Sequence, residues 1–338
     1  MKGKPIAFVT DLHTHCISSI DFVKEEVAFI AGKMNVHGIV DGIGSQSEWN
    51  SPYGIAIHNQ QKTLYVTDNY NNLIRSIDIS DMDFTVQTVC GKNYTRGYKD
   101  GIGSSAELSG PSGLCFSSLN ENILFFCDSI NNTIRRLDVI TRGVVTIAGI
   151  RNHIGHGDGI GIQAIFHAPK GICADKFDNL YICDRFNNVI RKMHKKNSLV
   201  STIGIVDSKG GMQDGDQYVA TFQQPHFIIY DRNTNCLYLT QMHSLRKIRL
   251  SDALVMRLCL IHRLLFRKGV NQLSPLKSLL LRLVSFEILR SSRSIRGFSS
   301  RNQLIEKMTQ HLDKIINYID TAKQLDQAAK TAFFEAVF

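Results

Sequence analysis

Along the first 250 residues, short apolar runs alternate with polar, glycine-rich turns, and the alternation restarts on a long period. One unit serves to read the others. Gly54-Ile55-Ala56-Ile57 is a β-prone run entered through Pro52, whose fixed φ and missing N–H suit a strand start. Asn59 to Lys62 form a polar turn, and Leu64-Tyr65-Val66-Thr67 is a second run. Asp68 to Asn72 make a tight turn. Leu73 to Ile79 predict a third strand, with Leu73, Arg75, Ile77 and Ile79 on one face and Ile74, Ser76 and Asp78 on the other. Thr85 to Val89 close the unit with a fourth.

The same order restarts after Asp41, Asp100, Asp158 and Asp214, at intervals of 59, 58 and 56 residues. Repetition on this scale signals stacked supersecondary units, none of which can bury its apolar surface alone. Four short antiparallel strands per unit predict one β-propeller blade each. Gly113–Phe116, Ile123–Cys127, Ile134–Val139 and Val144–Ala148 supply the next blade, and Gly171–Ala174, Leu180–Cys183, Ile190–Met193 and Val200–Ile203 the one after. His226–Tyr230, Cys236–Thr240, Leu245–Leu250 and Ala253–Cys259 supply the last. The N-terminus reads as a clipped copy, with Ile6–Thr10, Ile17–Asp21 and Val27–Ala31 matching strands two to four. Five blades are countable, and a sixth is left open to the C-terminal residues. Residues that recur in every copy belong to the scaffold, so function is sought where the copies differ.

The turn after each second strand carries a signature. Asp68 is followed by Asn71, Asn72-Leu73 and Arg75; Asp128 by Asn131 and Arg135; Asp184 by Asn187 and Arg191. This resembles the NHL repeat over residues 4–255. The resemblance implies a mainly β propeller, usually of six blades. It also implies a binding role for many members, single-stranded RNA recognition for some, and lyase or hydrolase chemistry at a central metal for others. Each repeated Asp reads as a cap on its own turn through backbone N–H groups, an interaction whose loss costs about 0.5–2 kcal/mol.

Charge separates the chain into regions. Residues 1–250 hold 25 Lys/Arg against 23 Asp/Glu, whereas residues 251–338 hold 14 against 7. Acidic partners are therefore an expectation for the C-terminal quarter rather than the repeats. No secretory leader is evident, because Ile6-Ala7-Phe8-Val9 is too short an apolar core before Asp11. No run is long enough to span a membrane. The eight cysteines lack CxxC pairing, and Cys127 and Cys183 share the repeat position of Thr67. Small-residue packing in a reduced, cytoplasmic setting follows.

Candidate chemistry is sparse. Asp11-Leu12-His13-Thr14-His15 offers a His-x-His pair, but it aligns with the repeat turn and has no later partner at barrel spacing. The glycine-rich loops lack the Lys-Ser/Thr of a phosphate loop. No nucleophile–base set can be placed, and the inner strands read as Ile, Ala, Leu, Cys and Phe. No metal, cofactor or catalytic residue is assigned, and an enzyme is the less favoured class. The long inter-blade loops supply the candidates for partner binding: Tyr94, Arg96 and Tyr98; Arg151, His153 and His156; and Lys209.

Beyond residue 258 the period stops. Residues 259–301 read as a basic helical and linker segment containing Arg290, Arg293, Arg296 and Arg301. Residues 302–338 read as an amphipathic helix, with Ile305, Met308, Leu312, Ile315 and Ile319 on one seam. That seam would dock on the propeller or self-associate. The expectation is a non-catalytic scaffold that binds a macromolecular partner, a protein above all. The alternatives are RNA binding aided by the basic segment and a metal-dependent propeller hydrolase or lyase.

Overall fold

The computed structural model describes residues 6–250 apart from positions 81, 208 and 217. Among them the chain forms five antiparallel sheets of a mainly β propeller. Blade 1 is β1 (Ile6–Asp11), β2 (Cys16–Asp21) and β3 (Glu26–Ala31). Blade 2 is β4 (Pro52–His58), β5 (Thr63–Asp68), β6 (Leu73–Asp78) and β7 (Val86–Gly91). The loop strand β8 (Gly101–Ile102) precedes blade 3, which is β9 (Pro111–Phe116), β10 (Ile123–Asp128), β11 (Thr133–Asp138) and β12 (Gly143–Ala148). Likewise β13 (Gly159–Ile160) precedes blade 4, formed by β14 (Pro169–Ala174), β15 (Leu180–Asp184), β16 (Val189–Met193) and β17 (Leu199–Ile203). Blade 5 is β18 (Phe227–Asp231), β19 (Cys236–Gln241) and β20 (Ser244–Arg249). Among the described residues blade 1 has three strands and no inner strand, as the sequence predicts. The fourth strand expected at 253–259, the basic linker and the C-terminal helix lie outside the described residues.

The second strand of blades 2, 3 and 4 is buried along nearly its whole length and mostly apolar, because both its faces are covered. Leu64 and Val66 pack with Ile17, Ile30 and Trp49 toward blade 1. Tyr65 points the other way, into a core with Leu114, Leu124 and Phe126 of blade 3. Phe125 and Cys127 repeat the step against Ile172, Ile182 and Phe166. Each such side chain contributes about 1.5–3 kcal/mol on burial. Inner strands meet where the repeat places glycine. A Cβ on Gly54 would lie 2.3 Å from Ser112 O, and one on Gly113 would lie 2.4 Å from Lys170 O. Only the absence of a side chain allows that approach.

The repeated Asp does not cap its own turn, contrary to the sequence expectation. Asp128 Oδ1 accepts the Ser109 N–H at 2.7 Å, from the segment leading into the inner strand of the same blade. Its Oδ2 takes Asn131 Nδ2 at 2.8 Å and Arg135 Nη1 at 2.7 Å. The guanidinium continues to Asp100 Oδ1 at 2.9 Å, which fixes the inter-blade loop. Asp68–Arg75–Asp41 and Asp184–Arg191–Asp158 repeat the arrangement. A buried guanidinium seven residues away outcompetes the local amides, because two buried charges need each other more than a turn needs a cap. Burial pushes all three carboxyls up to about 6, against the pull of the facing arginine. At neutral pH they are ionised and paired. The cap geometry survives only where the arginine is missing: Asp11 Oδ1 accepts the N–H groups of His13 and Thr14 at 2.9 and 3.2 Å.

The second Asn of each pair joins neighbouring blades. Asn72 Oδ1 accepts the Gly110 N–H at 3.0 Å, Asn132 Oδ1 that of Ala168 at 2.8 Å, and Asn188 Oδ1 that of Gln224 at 2.8 Å. All three asparagines have φ between 56° and 59°, in the left-handed region that Asn tolerates.

Candidate functional site

Pairing register assigns the faces. Pro52 opposes Asp68, Pro111 opposes Asp128 and Pro169 opposes Asp184, so inner strands start where second strands end. Leu73 opposes Gly91, which brings the outer strand's end and the following loop to the same level. The Asn-containing turns, the inter-blade loops and the inner-strand starts therefore share one face.

At the axis of that face the middle residue of each Pro-led inner-strand start turns inward. These residues are Tyr53, Ser112, Lys170 and His226, and no two are alike. The Tyr53 hydroxyl lies 2.9 Å from His226 Nδ1, and its ring stacks on Phe227 at 5.1 Å between centroids. Lys170 Nζ sits 4.8 Å from the centre of the Tyr53 ring. Blades 2, 4 and 5 thus converge on one aromatic side chain. Arg185, directly after the repeated Asp184, reaches the group and donates from Nη2 to Gln224 Oε1 at 3.1 Å. The sequence reading missed these residues because it weighed only the apolar bodies of the inner strands. The signal was present in the one strand-start position that changes in every copy.

The mouth is electropositive. Among the described residues no carboxylate lies within ion-pair distance of Lys170 or Arg185. The neighbouring Asp184 is committed to Arg191. Burial, reinforced by Arg185, lowers the Lys170 ammonium pKa. Burial with Arg185 and Lys170 nearby lowers His226 to about 4, so its imidazole is neutral at pH 7. Burial raises the Tyr53 phenol, which stays protonated. Around the mouth, Tyr70, Ile130 and Phe186 occupy the same step of three successive turns and are exposed by 61%, 49% and 45%.

The loop residues singled out from sequence fall on this face, and they differ in availability. Tyr94 is 76% exposed, and Arg96, Arg151, His153, His156 and Lys209 are also exposed. Tyr98 is half-buried, its ring held between the Arg135 and Arg151 guanidinium groups at 5.3 Å from each. Its neighbours explain the difference. Arg75, Arg191 and Arg246 lie over Trp49, Phe166 and Phe222, but blade 3 carries Leu108 at that place, and Tyr98 reaches in to supply the ring. Arg290, Arg293, Arg296 and Arg301 lie outside the described residues.

The His-x-His pair serves the fold. His15 Nδ1 accepts the Ser51 N–H at 3.1 Å, the role Asn72, Asn132 and Asn188 play elsewhere. Among the described residues no group of three or more His, Cys, Asp or Glu is arranged to hold a metal ion. The seven described cysteines are free thiols. Burial pushes Cys90 up to about 12 and raises Cys115, Cys127, Cys173 and Cys183 as well, which suits packing rather than attack as thiolates. No helix among the described residues is long and apolar enough to cross a membrane.

No family model matches the chain. It is 25% identical over 232 residues to Protein SUPPRESSOR OF QUENCHING 1, chloroplastic, of Arabidopsis thaliana, covering 66% of this chain and 22% of that protein. It is 24% identical over 193 residues to NHL repeat-containing protein 2 of Homo sapiens, covering 55% of this chain and 26% of that protein. The chain therefore spans about a quarter of the length of these curated relatives. Among solved structures, a putative phosphatase from Bacteroides thetaiotaomicron superposes with a TM-score of 0.51 at 16% identity, over 75% of this chain and 59% of that one. A protein of unknown function from the same organism gives 0.50 at 19% identity, over 72% and 66%. Three intact Asp…Asn-Asn…Arg copies seated in successive sheets give the chain a β-propeller fold whose repeat is similar to that of proteins named for the NHL repeat.

Proposed function

We propose that the turn-and-loop face of this propeller is a docking surface for a protein partner, and that the chain acts as a scaffold without chemistry of its own. The observation that carries the reading is the ring of Tyr70, Ile130 and Phe186. Equivalent positions of three blades all expose large apolar groups around one mouth, and Tyr94 and Ile154 of the inter-blade loops are exposed as well. Exposed aromatic and aliphatic groups beside arginine are the composition of interaction hot spots. Arg96, Arg151, His153, His156 and Lys209 would form the polar rim. The buried free thiols support a reducing compartment, the cytoplasm among them.

The test is affinity capture from native cells with the full chain. It would be compared with a Tyr70→Ser/Ile130→Ser/Phe186→Ser variant and with a control altered on the opposite face at Leu119→Ser/Phe177→Ser. Partners lost with the first variant and kept with the second support the reading. Partners kept by both overturn it. Retention on heparin that falls steeply with salt and is abolished by removing residues 290–301 would transfer the reading to RNA.

A further inference from the structure

We propose that the axial mouth is a carboxylate receptor, with the anion held between the Lys170 ammonium and the Arg185 guanidinium beside the Tyr53 hydroxyl and the His226 imidazole. Four observations meet here. Lys170, over the Tyr53 ring, and Arg185, bonded to Gln224 two residues before His226, line one half-buried recess, and among the described residues no carboxylate lies within ion-pair distance of either. This is unlike every other buried arginine of the repeat: Arg75, Arg135 and Arg191 each engage two carboxylates. Arg185 Nε is a buried donor with no acceptor among the described residues, as are Arg135 Nε and Arg191 Nε, but Arg185 alone of the three has no carboxylate on its Nη atoms. Lys170 rests on the face of Tyr53, an arrangement that holds the ammonium in place while leaving its N–H groups free to donate.

A protein does not ordinarily leave two desolvated cations together unless something offsets them. The Asn69 and Ser129 side chains, which take Arg185's place in blades 2 and 3, donate to the carbonyls of Pro111 and Pro169 of the next blade. Blade 4 substitutes a charge at a position where its siblings use a neutral clamp. Ser112 similarly takes the place of Lys170 in blade 3.

The ligand class follows from the surroundings. Tyr53, Phe227 and Phe186 make the mouth aromatic, so water around an incoming anion is lost rather than replaced. A carboxylate carries one charge over two oxygens and is cheaper to strip of water than a phosphate dianion. A guanidinium fork also matches it in the plane. We assign the carboxylate to an Asp or Glu side chain on an apolar loop of the protein partner, its apolar neighbours meeting Tyr70, Ile130 and Phe186. That assignment rests on the docking reading above; the receptor itself does not.

The test titrates the full chain by calorimetry at fixed ionic strength with sodium acetate, inorganic phosphate, N-acetyl-Phe-Glu-Leu-amide and its Gln counterpart. The Glu peptide is expected to saturate and to bind about tenfold or more tightly than the Gln peptide, the scale of a hydrogen bond to a charged group. Lys170→Ser or Arg185→Asn should each remove that preference. Both put in the residue a sibling blade already uses, and unchanged thermal melts would confirm folding. Equal binding of the Glu and Gln peptides with no response to acetate would overturn the receptor. So would a preference that survives in the double variant, or phosphate binding tenfold tighter than acetate. Acetate binding that depends on Lys170 and Arg185, without Glu-peptide binding, would overturn the partner side chain as the source and leave a free small carboxylate as the ligand.

Discussion

Asp128 Oδ2 and Arg135 Nη1 meet at 2.7 Å with both side chains wholly out of solvent. The pair sits inside a network that also holds Asn131, Ser109 and the solvent-facing Asp100, so removing Asp128 strands the Asn131 and Ser109 donors in a dry site. Asp128→Ala should therefore cost about 3–5 kcal/mol, the range for breaking a buried pair. Equilibrium urea melts measure it, and a loss below about 2 kcal/mol would return the residue to the role of a simple turn cap.

His15 holds the place of an asparagine and brings a titration with it. Burial, then the nearby His37, lowers its pKa from the ordinary 6.5. A folded-state pKa below the unfolded one means that the contribution to stability is complete above the unfolded value and is lost as pH falls through the folded value. Protonation also removes the lone pair that accepts the Ser51 N–H. Amide exchange at Ser51, normalised to intrinsic rates, should accelerate as pH falls below the ordinary imidazole value of 6.5. His15→Asn should abolish that acceleration by restoring the side chain used in the intact copies. Equal pH dependence in both proteins would show that the imidazole is not the hinge.

Gly113→Ala tests the packing of inner strands. The new methyl would meet the backbone of the next blade, at 2.4 Å from Lys170 O and 2.8 Å from Gly171 Cα. Overpacking of this kind costs about 1–3 kcal/mol. Gly155→Ala, whose Cβ would meet only Ile165 Cγ2 at 3.4 Å, should stay within about 0.5 kcal/mol. Thermal melts that fail to separate the two variants would contradict the close approach.

Tyr98 and Tyr94 stand four residues apart with opposite roles. Tyr98→Leu removes a ring that serves two guanidinium groups and should cost about 0.5–2 kcal/mol. Tyr94→Leu should leave stability within about 0.5 kcal/mol and weaken partner capture instead. The reverse pattern would exchange their assignments.

Strand order and blade boundaries were legible in the sequence because Leu64-Tyr65-Val66 and its counterparts repeat in register with the same punctuation. The scaffold status of Asp128, Asn131 and Arg135 was legible for the same reason. Their chemistry was not. A carboxylate followed by open turn amides looks like a cap, and nothing local reveals that Arg135, seven residues on, folds back beneath it. Tyr98 looks like a partner-binding residue from sequence for the same cause, since the Arg135 guanidinium over its ring comes from another strand. The axial mouth was the least legible part. Tyr53, Lys170 and His226 each look unremarkable within their own copies, and they acquire meaning only when three blades face one axis.

That crossing of the axis bears on how the chain reaches its native state. Within a blade every hairpin joins residues close in sequence, so each sheet can form on its own short timescale. Tyr53 and His226 are separated by 173 positions. Bringing them together closes a loop whose entropic penalty falls due only after the intervening units have shortened the path. Assembly of the axis is therefore expected late in folding, and ligand occupancy at the mouth would act as a latch on the completed array.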